Sequence, residues 1–463
     1  MTQVKIDSIS QKMKDFHAEI APIKALLGGT SAMREAGETY LPKFPSEAND
    51  KEHGDRDYRN RLKQAVLVPY FEDTVKSMTG RLFYKPFSMD LDEKILEYKD
   101  DFDMSGGSIS GVFESVFYEA LSYSRSYIVV DYSLKVQVKS KAEEIKAGAR
   151  PYAFKVEADQ VLDVREKNGK ITLFKYQHKV INEDKTNDFE VVYQDEIVLM
   201  TPGLTRTWRK SDKGEWIAHE NYSVTIAGKA LDYVTAFELK LSRKPPLENL
   251  AELNIEHWQS KSSQRNIVDT ARIPILTFAG VTDASEVEYI SGGFSVPKDA
   301  TVSYTEHSGA AIASGQTSLD KLEEQMGVAG AKLLTRTKMA LTDTQAKSEG
   351  IKEVSELMLY GMLLGEFMNQ VIEMFGMWLG IEEPGTIDIT ENLKNTIDSG
   401  VSAQDVIQSA VHGITSYRTA YETLVAMNAI SGSRTYEEEE EQIGIESETR
   451  LPRPTSLFSG MED

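Results

Sequence analysis

Residues 245–280 read PPLENLAELNIEHWQSKSSQRNIVDTARIPILTFAG. The stretch predicts one long helix, a stop at Pro274 and then a short buried strand. Roughly 24 residues at about 1.5 Å each make a rod of about 36 Å. From His257 to Asn266 the helix is nearly all polar, and Trp258 is the one large apolar side chain there. A rod that polar cannot stand alone on a globular core. It has to pack among other helices, line a solvated space or bridge two bodies.

Working outward, helices dominate the C-terminal half. Residues 273–305 hold two or three short strands, punctuated by Gly292-Gly293 and Pro297. From Gln316 to about Leu341, Leu319, Leu322, Met326, Ala329 and Leu333 step by three and four and give one packed seam. Thr342-Asp343-Thr344-Gln345 breaks that helix, because these side chains compete for the backbone. Glu349 to Gly380 reads as a second helix, apolar over much of its circumference. Its longest run without a polar side chain, Leu357 to Gly365, is about half a membrane span. It is therefore a core helix, and no membrane is expected. Ser402-Ala403-Gln404-Asp405 fits a capping box, and Gly413 separates two helices ending near Ile430. The tail from Gly432, with glutamates at 437–441 and prolines at 452 and 454, starts as a helix and ends disordered.

The N-terminal half opens with an amphipathic helix, Ile6 to Leu27, and a second helix from Asp57 to Thr79, ended by Gly80. A third spans Ser110 to Ser124. From Tyr127 to Lys240 short β-branched and aromatic runs alternate with Gly, Asn and Asp turns, among them 152–156, 171–176, 189–193, 196–201 and 206–209. That pattern predicts a β-rich body of meanders.

Composition narrows the chemistry. The 463 residues hold 52 Lys and Arg against 73 Asp and Glu, a net charge of −21, and no cysteine. Phosphate neutralisation is not a binding mode for such a surface. Disulfides, thiolate nucleophiles and cysteine zinc sites are ruled out by the count. The start of the chain has no apolar leader, so secretion is not expected. Gly pairs at 28–29, 106–107 and 292–293 lack the Lys-Ser/Thr of a phosphate loop. The histidines form no ligand pair, and His257 and His307 read as surface or interface groups. Glu252 and Glu256 could be imagined as an acid/base pair, but a solvated or subunit-facing stripe is the simpler reading. No catalytic residue, metal or cofactor is assigned.

Several words along the chain resemble the DUF4055 portal family of tailed bacteriophages. They are Tyr40-Leu41-Pro42, Tyr58 with Arg61, Gly80-Arg81-Leu82-Phe83, Leu121 to Asp131, Leu250-Ala251-Glu252-Leu253-Asn254, Ile273-Pro274-Ile275-Leu276 with Gly280, and Glu306-His307-Ser308-Gly309. The resemblance spans roughly residues 35–445. It implies an α+β portal fold: an N-terminal helical layer and β-rich wing (1–244), a first stem helix (245–272), a short clip (273–315) and a second stem helix (316–341). A channel loop (342–348), a wing-crossing helix and return (349–395), a small helical crown (396–431) and an acidic, partly disordered tail (432–463) follow. Two departures stand out: the clip is short, and no long C-terminal helical extension is present.

The function implied is a ring of about twelve copies at one capsid vertex. Double-stranded DNA would pass through it during packaging and ejection, and it would dock terminase, a head-completion adaptor and the major capsid protein. Assembly would occur in host cytoplasm and the product would reside in the virion. Lys332, Arg336, Lys338 and Thr342 to Gln345 (Thr342, Asp343, Thr344, Gln345) would face the channel. Leu250, Asn254, Trp258, Gln264 and Arg265 would lie at the stem or subunit interface. The alternative for the basic residues is salt bridging between subunits. The rival reading for the whole chain is a nucleic-acid- or sugar-processing enzyme using paired carboxylates on the β-rich body.

Overall fold

The computed structural model describes residues 5–133, 149–226, 228–281, 283, 287–305, 309–334, 337–338, 353–393, 403–426, 429–431 and 434–449. The chain divides into two units, Met1–Ile397 and Asp398–Asp463. The first mixes helices and sheets, as the α+β expectation required.

Its helical layer contains α1 (Gln11–Leu27), α2 (Gly29–Ala36), α3 (Pro45–Asn49), α4 (Gly54–Gln64), α5 (Tyr70–Leu82), α6 (Glu93–Leu96) and α7 (Ile109–Tyr123). The single helix expected over 57–79 is two, α4 and α5, and α5 runs two residues past Gly80. Pro69 is the cause. It donates no backbone hydrogen bond and holds the residue before it extended, so the chain opens between Ala65 and Pro69. Helix α7 ends at Ser124, which takes a left-handed φ of 79° and turns the chain directly into a buried strand.

Among the described residues eleven strands precede the long helix: β1 (Ser88–Leu91), β2 (Arg125–Tyr132), β3 (Pro151–Val156), β4 (Val161–Lys167), β5 (Lys170–Ile181), β6 (Tyr193–Thr201), β7 (Leu204–Lys210), β8 (Trp216–Ser223), β9 (Thr225–Ile226), β10 (Lys229–Ala230) and β11 (Ala236–Lys240). β4 to β8 form an antiparallel meander in sequence order, and β2 sits between β11 and β3 in a second sheet. β2 is buried over nearly its whole length. Residues 189–192, expected to be strand, lie instead in the β5–β6 loop, where Phe189 is 99 % exposed and gains nothing from pairing.

The long helix α8 (Glu248–Ala271) matches the expectation closely. Among the described residues the insert after it holds four strands rather than two or three: β12 (Ile275–Ala279) pairs with β15 (Thr301–Thr305), and β13 (Glu288–Ile290) with β14 (Gly293–Ser295). Helix α9 runs from Ala310 to Ala331, so it starts earlier and stops ten residues short of Leu341. A 3₁₀ turn, Lys332–Leu334, follows, and Thr337–Lys338 (β16) pairs with Glu353–Val354 (β17). Thr337 and Val354, register partners and both β-branched residue types, favour extended pairing over a further helical turn.

Ser355 then caps α10 (Glu356–Leu379), its hydroxyl accepting from the Met358 N–H at 3.1 Å. Leu357, Leu364, Phe367, Met368, Val371, Ile372 and Phe375 of this helix are core, as expected. No described helix is long and apolar enough to cross a membrane. β18 (Gly385–Asp388) pairs back with β1, and α11 (Thr390–Leu393) closes the unit. Asn369, midway along the apolar α10, exchanges hydrogen bonds of 2.8 and 3.2 Å with Ile387 and fixes that return strand.

The second unit holds α12 (Ala403–Val411), α13 (Tyr417–Ala426) and α14 (Tyr436–Thr449), and Val406, Ala410, Ala420 and Leu424 of α12 and α13 form a small core. Gly413, at φ 71°, separates the first two helices as expected. Ser402 of the expected capping box lies outside the described residues, as does the tail from residue 450.

Candidate functional site

A polar helix can be buried only if each polar group finds a partner. α8 does this along one face, where Leu250, Ala251, Asn254, His257, Trp258, Ser262 and Gln264 are buried. Asn254 accepts from the Phe71 N–H at 3.0 Å and donates to the Val68 carbonyl at 3.0 Å. It thereby serves the open end of α5 that Pro69 created. Gln259 donates to the Tyr40 carbonyl at 3.0 Å, and Gln264 to the Ile312 carbonyl at 2.8 Å. A β-carbon at Gly315 would fall 2.0 Å from the Gln264 side-chain oxygen, so glycine is what admits this contact.

His257 is buried, not a surface group. Its Nε2 lies 3.1 Å from Glu323 Oε1 on α9, and its ring meets Tyr70 edge-on at 5.6 Å. Burial pushes its pKa below the usual value, against the opposing hydrogen bond from Glu323. Among the described residues its Nδ1 has no hydrogen-bond partner, nor does Trp258 Nε1.

A second knot ties the 40–47 segment to the same helix. Arg61 forks onto Glu47 at 2.8 and 2.7 Å, donates to the Pro42 carbonyl at 2.7 Å and reaches Ser262 Oγ at 3.5 Å. Its guanidinium lies 3.9 Å from the centre of the Phe44 ring. Burial pushes the Glu47 carboxyl up, but the Arg61 and Phe44 hydrogen bonds outweigh it and hold the pKa below normal. Gly54 lets α4 approach, since a β-carbon there would sit 1.9 Å from the Glu47 carbonyl oxygen.

The insert differs in kind. Every residue of β13, β14 and β15 is exposed. Ile273, Ile275, Tyr289, Ile290, Phe294 and Tyr304 all present apolar surface, Tyr289 at 73 % exposure. Tyr289 and Phe294 meet edge-on at 5.5 Å, and Phe294 meets Phe278 edge-on at 5.3 Å. Alongside, α8 and α9 enclose an open groove of about 620 Å³ lined by Asn249, Leu253, Glu324, Val328 and Lys332, with Val328 70 % exposed.

Of the residues singled out from sequence, Leu250, Asn254, Trp258 and Gln264 lie on α8 and are buried within the chain itself. The reason is that α9, α1, α4 and α5 already pack against α8. Arg265 is exposed and pairs with Asp269 at 3.6 Å. Lys332 is exposed at the groove, and Lys338 lies in β16 opposite Glu353. Arg336, His307 and the run Thr342, Asp343, Thr344 and Gln345 fall outside the described residues. Glu252 and Glu256 are exposed on α8, in keeping with a solvated stripe.

Sequence reading missed a buried carboxylate that the fold holds in an unusual state. Glu119 is buried, accepts the Ala158 N–H at 2.9 Å and the Ser126 hydroxyl, and is held well above the usual carboxyl range by burial. Its bonds join α7 to β2 and to the turn after β3. Among the described residues no group of three histidines or carboxylates is placed to hold a metal.

A family model described as a domain of unknown function (DUF4055) matches residues 246–379, from the start of α8 to the end of α10. No curated protein matches the chain. Among solved structures, a chain from the virion of a native gene transfer agent particle is 11 % identical, with a TM-score of 0.39, over 81 % of this chain and 90 % of that one. A chain from the neck of the empty particle, computed with C6 symmetry, gives 11 %, 0.37, 81 % and 90 %. One from the neck of the native particle, computed with C12 symmetry, gives 10 %, 0.32, 77 % and 89 %.

Proposed function

We propose that this chain is a phage portal subunit, one of about twelve in a ring at a capsid vertex. In that reading α8 and α9 are the stem and the four-stranded insert is the clip. Double-stranded DNA passes through the ring, which docks terminase, a head-completion adaptor and the major capsid protein. The observation that carries the reading is the insert. It exposes isoleucines and aromatics on every strand with no core of its own, at the end of a helix pair that is itself well anchored. Apolar surface of that kind marks an interaction site. Copies arranged side by side would cover it. The DUF4055 match over the helix–insert–helix span supports the same reading.

The mechanism is geometric and electrostatic. A chain at −21 offers DNA little to adhere to, and Lys332, Arg336, Lys338 and the 342–345 loop are the groups proposed to touch it in transit. Negative-stain microscopy of the purified chain is the test. Rings with a central hole are expected, and compact monomers at micromolar concentration would overturn the reading.

A further inference from the structure

The β4–β8 meander has two faces. Val164, Phe174, Tyr176, Val198 and Met200 turn inward to the core. The register aligns the other face: Asp163 pairs with Lys175, Lys175 with Leu199 and Leu199 with Arg206, one straight row across four strands. Arg165, Leu173 and Trp208 share that face two residues away. Residues 5–10 lie along it, with Ser10 N–H donating to the Leu162 carbonyl at 2.9 Å and Lys175 Nζ donating to the Ile6 carbonyl at 3.3 Å and to the Ser8 carbonyl. Between segment and sheet is a pocket of about 360 Å³, within the size range of ligand sites.

Its charge runs against that of the chain. Lys5, Arg165, Lys175 and Arg206 line it against the single carboxylate of Asp163, and Arg165 is paired with that carboxylate at 3.0 Å. Arg206 has no carboxylate partner among the described residues; its guanidinium leans on Trp208, 5.9 Å from the ring centre. Its Nε and the Ser10 hydroxyl are both buried, and neither has a hydrogen-bond partner among the described residues. Ser10 stands at the N-cap of α1 yet makes no capping bond. A buried donor without an acceptor is costly, and here two groups on one pocket are left so. Burial also pushes the Lys175 pKa down, helped by Arg165 and opposed by Asp163 and by Asp7 of the 5–10 segment.

We propose that this pocket binds an acidic peptide segment of a partner protein, its carboxylate held by Arg206, Lys175 and Ser10 and an adjacent apolar side chain resting on Leu173, Leu199 and Trp208. A guanidinium fork suits a carboxylate, and the apolar floor suits a peptide rather than a bare oxyanion. Duplex DNA, a far denser polyanion than a short peptide, is disfavoured more strongly by the surrounding −21. The inference is independent of the ring.

The test uses the full chain and an acetylated, amidated pentapeptide alternating leucine and glutamate, followed by calorimetry. Binding is expected that falls at least about tenfold in Arg206→Gln and with glutamine in place of glutamate in the peptide. Lys5→Gln, on an exposed residue, keeps the proposal testable should Arg206→Gln fail to fold, and is expected to weaken binding about threefold. Equal binding of the glutamine peptide, or unchanged affinity in folded Arg206→Gln or in Lys5→Gln, would overturn it. So would binding of inorganic phosphate or duplex DNA without binding of the peptide.

Discussion

Replacing Arg61 by Met tests whether the buried ion pair is the anchor of the 40–47 segment. Arg61 and Glu47 side chains are 4 % and 8 % exposed. Arg61→Met leaves the Glu47 carboxylate buried with only the Phe44 N–H at 2.8 Å. Breaking a buried pair from one side costs about 3–5 kcal/mol. Glu47→Gln keeps much of the shape and leaves the guanidinium its Pro42 carbonyl, so about 1–3 kcal/mol is expected. The double variant should fall short of the sum by about 1–3 kcal/mol, because the second change removes the stranded charge left by the first. The four tryptophans, at 208, 216, 258 and 378, all lie in the first unit, so urea unfolding read by their fluorescence reports that unit alone. The pH dependence carries a sign as well. A carboxyl held below its unfolded value of 4.5 contributes stability above that pH, and the contribution is lost as pH falls through the folded value. Arg61→Met should flatten this acid limb. Single substitutions that add within about 0.5 kcal/mol would refute the reasoning.

Trp258→Ala removes a side chain 1 % exposed and should cost about 3 kcal/mol in the same assay; a loss that appears only when rings dissociate would return Trp258 to a subunit contact. His257, with a folded pKa below its unfolded 6.5, should make stability fall as pH drops from about 6.5 toward the folded value. His257→Gln should lose that slope between pH 7.5 and 5.5, and an unchanged slope would assign it elsewhere. Gel shift with duplex DNA should show weak binding at physiological salt, and tight binding persisting above about 0.2 M would contradict a channel surface that DNA passes without sticking.

The stem-like helix was legible because Pro245, Pro246 and Pro274 bracket a stretch without a breaker. The apolar seam from Leu319 to Leu333 likewise announced one packed face, which α9 and its 3₁₀ turn present. What stayed hidden was pairing at a distance. Nothing local marks Asn254 as the partner of Phe71, or tells a reader that His257 is enclosed by Glu323 and Tyr70. A polar residue whose partner lies many residues away reads like a solvated one. The end of α9 was misjudged for a related reason: residues 337–338 leave the helix for strand residues 353–354, and only the fold supplies that neighbour. The cationic pocket was invisible because its members come from four strands and a terminal segment, brought into one row by register alone.

The service of α5 by Asn254 also sets a clock on biosynthesis. The Phe71 amide and its acceptor are 183 residues apart. At about 5–20 residues per second, the ribosome needs about ten to forty seconds to deliver the second after the first. Through that interval α5 begins with an open end, and its apolar face has no α8 to rest on. The Asn392 side chain, which donates to the Leu82 carbonyl at 2.8 Å at the other end of the same helix, arrives 310 residues after it. The nascent helical layer therefore stays exposed to chaperones until nearly the whole first unit has left the ribosome. Substitutions at Asn254 or Asn392 should lower the yield of soluble protein in cells by more than their effect on the finished fold.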